Sequence, residues 1–214
     1  MSAVVHLSES LSRLQGVRPA ARLAGARRTL ASGFEPLDVL LPGGGWPIGA
    51  VTELQVPTTG IGEIRLLAPA LASTQGLVAF VGPPADPCVH ALGRLEIAAH
   101  RILVVQPDVG RDRQWAAEQL LGVADAVLIW QSAAAEDRGV RRLQLAAERG
   151  GSLCFLLSPP GRHAIPATLR LSLAPASLVA VHVDVFKRPG PRAAPITLTL
   201  DHALARAPLP RAGA

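Results

Sequence analysis

The chain has 214 residues, 49% of them hydrophobic, and a formal net charge of +5. This is enough apolar material for one full core, so a single domain with at most a small appendage is expected rather than two. The basic excess is almost wholly arginine, since Lys187 is the only lysine, and such charge bears on association with nucleic acid or an acidic partner rather than on fold.

No apolar run approaches the ~18 residues of a membrane span, and no basic stretch precedes an apolar one at the N-terminus. A cytoplasmic protein with no membrane attachment is therefore expected. Cys88 and Cys154 are far apart in sequence and form no paired metal or redox motif, so two buried, reduced thiols are expected.

In chain order, Val4, Leu7, Leu11 and Leu14 recur at intervals of three and four, which predicts a short amphipathic helix. Arg18, Arg22, Arg27 and Arg28 follow as a basic connector. It reads either as a solvated linker or as an arm for a partner or a phosphate backbone. Residues 1–28 form this leading segment, 29–200 the domain and 201–214 an Ala/Pro/Arg-rich tail with little to bury.

Within the domain, strands are predicted over 50–56, 77–81, 101–105, 126–130 and 153–157. Helices are predicted over 63–74, 86–99, 114–122 and 139–149. Strands that are apolar at every position are buried on both faces, and helices between them imply right-handed crossovers and a mostly parallel sheet. After Ser158 the texture changes. Strands predicted over 168–173, 178–186 and 196–200 alternate, as in Val181 to Val185, and suit antiparallel pairing with one solvated face.

The segment from Glu53 to Glu63 lies between a strand and a helix, where a phosphate-binding loop would lie. Such a loop needs a glycine turn whose N–H groups surround phosphate, a lysine on the β/γ oxygens and a hydroxyl on Mg²⁺. Here Gly60 and Gly62 supply the turn, but Glu63 and Ile64 stand where lysine and Ser/Thr are needed. A carboxylate repels a triphosphate, and an isoleucine cannot ligate a metal.

The runs Leu30 to Asp38, Pro42 to Gly49 and Val51 to Glu53 resemble the approach to the nucleotide loop of RecA recombinases. Val78 to Val81, Ile102 to Asp108 and Val127 to Ser132 are similar to that family's following strands, and residues 169–173, 183–188 and 195–198 to its closing strands. The resemblance covers about residues 30–200. It implies an α/β fold: a RecA-like P-loop NTPase core with a mostly parallel sheet, antiparallel C-terminal strands and a degenerate nucleotide site.

Against that pattern Trp130 replaces the Walker B aspartate, and Gly82 to Ala85 replace the catalytic glutamate. Ser158-Pro-Pro160 replaces the sensing glutamine. Together with Glu63 and Ile64, these departures imply a pseudo-ATPase with no cofactor. The segments 133–138 and 159–167, in place of the DNA-binding loops, are short, so any DNA binding is expected to be non-specific and to fall to Arg18, Arg22, Arg27 and Arg28.

Pro42 to Leu67 is similar to the signature of the ImuA family, SOS-associated RecA-like proteins. That resemblance implies a non-catalytic adaptor in induced translesion DNA synthesis and mutagenesis. Its implied partners are an inactive Y-family polymerase homologue (ImuB-like) and an error-prone replicative-type polymerase, with RecA as a further candidate. Two alternatives remain open: a SulA-like inhibitor of cell division, and a weak RecA-like DNA-dependent ATPase.

Among the other chemistry-bearing residues, the six histidines form no His-x-x-x-His pair and Ser32 and Ser158 no nucleophile elbow, so neither a metal site nor acyl transfer is expected. Trp46 in the glycine turn is either an exposed anchor or packed beneath the loop. Trp130 is expected to plug the emptied nucleotide cavity. Glu63, in a first helical turn, favours the positive end of the helix dipole by a few tenths to about 1 kcal/mol.

Overall fold

A short antiparallel pair, β1 (Thr29–Leu30) with β2 (Trp46–Pro47), and one helical turn, α1 (Glu35–Asp38), precede the main sheet. The computed structural model describes residues 28–107, 110–131, 137–161 and 165–200. The expected helix from Val4 to Leu14, the residues Arg18, Arg22 and Arg27, and the tail from Asp201 lie outside these. Elements this short carry no periodicity, and none of the three is a continuous apolar run, which is why none was predicted. Trp46 is fully buried, edge-on to Phe155 at 5.4 Å. It is a core residue beneath the loop and not a surface anchor.

The continuous apolar runs form one half of an eight-stranded sheet. Its strands are β3 (Ala50–Gln55), β4 (Val78–Val81), β5 (Ile102–Val105), β6 (Ala126–Trp130), β7 (Leu153–Ser158), β8 (Leu169–Ser177), β9 (Ala180–Lys187) and β10 (Ile196–Thr199). Their order across the sheet is β10-β9-β8-β3-β7-β6-β4-β5. The six strands from β8 to β5 run parallel, whereas β9 and β10 pair antiparallel. The protein is thus α/β, with a mostly parallel sheet and antiparallel strands at one edge.

Two strands depart from expectation. β8 alternates like its successors but pairs parallel with β3 on one side and antiparallel with β9 on the other. It joins the two halves of the sheet. β5 is apolar throughout, yet Leu103 and Val104 are exposed because it is the outermost strand and has a neighbour on one side only.

Helices cover both faces. α2 (Glu63–Ser73) buries Leu66, Leu67, Ala70 and Leu71 on one face, joined by Leu92 of α3 (Val89–Arg94). On the other face lie α4 (Gly110–Leu120) and α5 (Asp137–Gly150), the latter burying Val140, Leu143, Ala146 and Ala147 at helical spacing. Each large apolar side chain removed from water contributes about 1.5–3 kcal/mol, so the two apolar layers hold the sheet from both sides. Gln144 of α5 adds a polar pin. Its Oε1 accepts the N–H of Val51 at 2.9 Å and its Nε2 donates to the carbonyl of Gly49 at 3.2 Å.

The helix predicted over 86–99 is confined to α3. Glu96, at φ 64, takes a left-handed turn in which its N–H donates to Gly93 and that of Ile97 to Leu92. Those two bonds close a helix C-terminus and bring Ile97 back onto Leu92. The preceding run from Pro84 to His90 is mostly exposed, and Cys88 with it. The expectation of two buried thiols therefore holds for Cys154 alone; the proline turns carry Cys88 off the sheet.

Candidate functional site

The parallel strands β3, β7 and β6 end side by side, and their carboxyl ends open on a cleft of about 170 Å³. Open α/β sheets place ligands at this end of their strands. The turn after β3 contributes Val56 to Thr59, the end of β7 Leu157 to Pro159, the end of β6 Trp130 and Gln131, and α2 contributes Glu63.

The turn leading into α2 is built on two glycines in the left-handed region, Gly60 at φ 85 and Gly62 at φ 119. Gly62 is also held by contact: an added Cβ would lie 2.6 Å from Cδ1 of Leu200 and 3.3 Å from Cγ1 of Val181. A side chain there would be strained twice over. The first amides of a helix lack partners inside it and favour negative charge.

Glu63 supplies that charge from the chain itself. Its Oε1 accepts the N–H of Gly60 at 2.8 Å and its Oε2 that of Gly62 at 3.1 Å. The side chain folds back into the turn, leaving Glu63 only 4% exposed. The carboxylate therefore occupies the position where such a turn would receive an anion. Ile64 packs half-buried against the apolar layer of α2 and offers no hydroxyl.

Trp130 closes the far side. Its indole stacks on Phe80 with centroids 5.8 Å apart and planes at 17°, and it is 9% exposed. Because the ring is drawn toward Phe80, it walls the cleft rather than filling it, and the expected plug is incomplete. On the opposite face of the sheet, Arg113 of α4 crosses Gly82, where an added Cβ would lie 2.3 Å from its Nε. Its Nη1 donates to the carbonyl of Trp130 at 2.9 Å. The end of β4 runs into Val81-Gly-Pro-Pro-Ala85 and carries no carboxylate that could position water.

Behind the cleft lies a buried polar cluster whose pairing no motif in the sequence indicates. Glu53 of β3 pairs with Nε of Arg170 of β8 at 2.5 Å and accepts from Oγ of Ser158 at 2.8 Å. Arg170 also lies 5.0 Å above the ring of Phe186. Gln55 Nε2 donates to the carbonyl of Gly161 at 2.9 Å, and Nζ of Lys187 to that of Ile165, also at 2.9 Å. Partial burial and the neighbouring Arg170 lower the Lys187 pKa, while Glu53 and Asp137 act the other way. The sole lysine thus holds the connection between β7 and β8, and Ser158 serves Glu53. The signal available in the sequence was a pair of polar residues, Glu53 and Gln55, inside an otherwise buried strand.

The structure brings Gly60, Gly62, Glu63 and Trp130 to one cleft, with Ile64 turned into the core beside it. Of the four connector arginines only Arg28 is described; it is exposed, and its carbonyl accepts the N–H of Ile48 at 2.9 Å. Residues 132–136 and 162–164, within the two segments in place of DNA-binding loops, are outside the described residues. Among the described residues no group of three His, Cys, Asp or Glu side chains is placed to hold a metal ion, and no helix is long and apolar enough to cross a membrane. The chain matches no protein-family model and no curated protein.

Proposed function

We propose that this protein is a RecA-like domain that has kept the frame of a nucleotide site without its chemistry, and that it acts as a non-catalytic adaptor. The observation that carries this reading is the Glu63 carboxylate bonded to the amides of Gly60 and Gly62 at the end of β3. A phosphate would meet a like charge in a slot already occupied. The order β5-β4-β6-β7-β3-β8, with two antiparallel strands beyond it, supports the RecA-like frame.

The proposed setting is the SOS-induced translesion synthesis complex in the cytoplasm, where the chain joins an inactive Y-family polymerase homologue to an error-prone replicative-type polymerase, with RecA as a further candidate partner. The support for this setting is the Pro42 to Leu67 signature. In the structure that stretch forms β2, β3, the two-glycine turn and the first half of α2.

Co-purification of the full chain tests the proposal. The expected result is retention of the Y-family polymerase homologue and no retention of the tubulin-like division protein. Retention of the division protein alone would replace the adaptor reading with a SulA-like one.

A further inference from the structure

The cleft beside Glu63 has the wrong charge for phosphate and a suitable one for a cation. Among the described residues, Glu63 is the one ionisable side chain that lines it. A carboxylate has about four lone-pair positions, and the amides of Gly60 and Gly62 engage two. Among the described residues Glu63 makes no ion pair, in contrast to carboxylates such as Glu53, Glu118 and Asp184.

The remaining walls are of two kinds. Pro57, Trp130, Leu157 and Pro159 are apolar, while Thr58 and Thr59 offer hydroxyls. At about 170 Å³ the space is smaller than the ~300–1,000 Å³ of ordinary small-molecule sites and suits a single side chain. An aliphatic stem with a cationic head meets both kinds of wall, as lysine and arginine do when they lay their stems on apolar surface.

We infer that this cleft is a socket for a basic side chain presented by a partner polypeptide, its stem against Trp130 and the prolines and its head at Glu63. The inference rests on the reading of the turn as a nucleotide site without nucleotide chemistry, and it names what the site takes instead. In a cleft at the protein surface, attraction between the two charges is several times stronger than in bulk water. The head would approach a carboxylate already held in place by two amides, so little ordering is required on binding.

The experiment uses the isotope-labelled full chain and follows the Gly60 and Gly62 amide signals and the Trp130 indole N–H signal. N-acetylarginine methylamide, its neutral citrulline counterpart and pyrophosphate are titrated separately. The arginine probe is expected to move all three signals, with a Kd on the order of millimolar for so small a ligand. The citrulline probe and pyrophosphate should leave them in place.

Glu63→Gln should weaken the arginine probe about tenfold, the size of one lost charge-assisted contact. The arginine–citrulline comparison on the unaltered chain decides the matter even if that variant fails to fold. An arginine probe that moves none of the signals, or moves them no more than citrulline does, overturns the socket. Movement by pyrophosphate overturns the underlying nucleotide-free reading, so the two failures are distinct.

The chain's own residues 201–214 include Arg206 and Arg211 and follow Leu200, which touches Gly62. Deleting 202–214 is expected to leave the affinity for the arginine probe unchanged. A deletion that tightens binding of that probe would assign the socket to that segment and overturn the partner.

Discussion

Glu63 and Gly60, three residues apart, are joined by a 2.8 Å hydrogen bond from the glycine amide to the carboxylate. The turn ahead of α2 therefore carries its own anion. Calorimetric titration with Mg·ATP is expected to show no binding in the micromolar range, because each lost charge-assisted phosphate contact is worth about 1.5–3 kcal/mol and several are missing. Glu63→Lys alone should not confer turnover, since Trp130 still stands at the end of β6 and the residues that leave β4, Gly82 to Ala85, carry no carboxylate. Hydrolysis by that single variant would refute the account of the site.

Glu53 and Arg170 are both buried, and each was removed from water on condition that the other be present. Glu53→Gln or Arg170→Met should destabilise by about 3–5 kcal/mol, because either leaves an uncompensated buried charge. A Glu53→Gln, Arg170→Met double variant should recover most of that loss. Chemical denaturation of the three proteins tests it: additive effects would mean that the pair is not coupled.

The two thiols should differ sharply. Burial pushes the Cys154 pKa from 9.0 to about 12, whereas Cys88 is exposed. At neutral pH iodoacetamide is expected to modify Cys88 in the native protein and Cys154 only after unfolding. A folded-state pKa raised in this way contributes stability that is complete below the unfolded value near 9 and declines as pH rises toward 12. By about pH 10 the decline should be about 1 kcal/mol, absent in Cys154→Ala compared with its own neutral-pH value. Rapid double labelling of the native chain would contradict the burial.

DNA binding, where measured, is expected to be independent of sequence and steeply dependent on salt. Replacing Arg18, Arg22, Arg27 and Arg28 with serine should weaken it strongly and reduce the slope of log K against log salt by up to ~4. Tight single-strand binding that survives both the substitutions and high salt would place the nucleic-acid surface elsewhere.

Removing residues 1–27 or 202–214 should leave the melting temperature nearly unchanged, since among the described residues Phe34 to Leu200 supply the buried side chains of both apolar layers on the sheet. At least one of these truncations is expected to abolish co-purification with the Y-family polymerase homologue. If both retain it like the full chain, the partner docks on the core.

The strands β4, β6 and β7 were legible in the sequence, because a strand covered on both faces must be largely apolar along its length. So was the inner face of α5, from the spacing of Leu143, Ala146 and Ala147. The pattern also placed Glu63 at the start of a helix, and its bonds to Gly60 and Gly62 span three residues and one, a range over which local geometry decides. Other features were not legible, because they depend on which distant segments become neighbours. The same apolar pattern is buried in β4 and exposed in β5, the difference being position at the sheet's edge. Glu53 meets Arg170 from 117 residues away, and Trp46, Trp115 and Trp130 end up buried, exposed and lining the cleft by packing alone. Composition and periodicity report how each segment meets water, while strand order decides which segments meet one another.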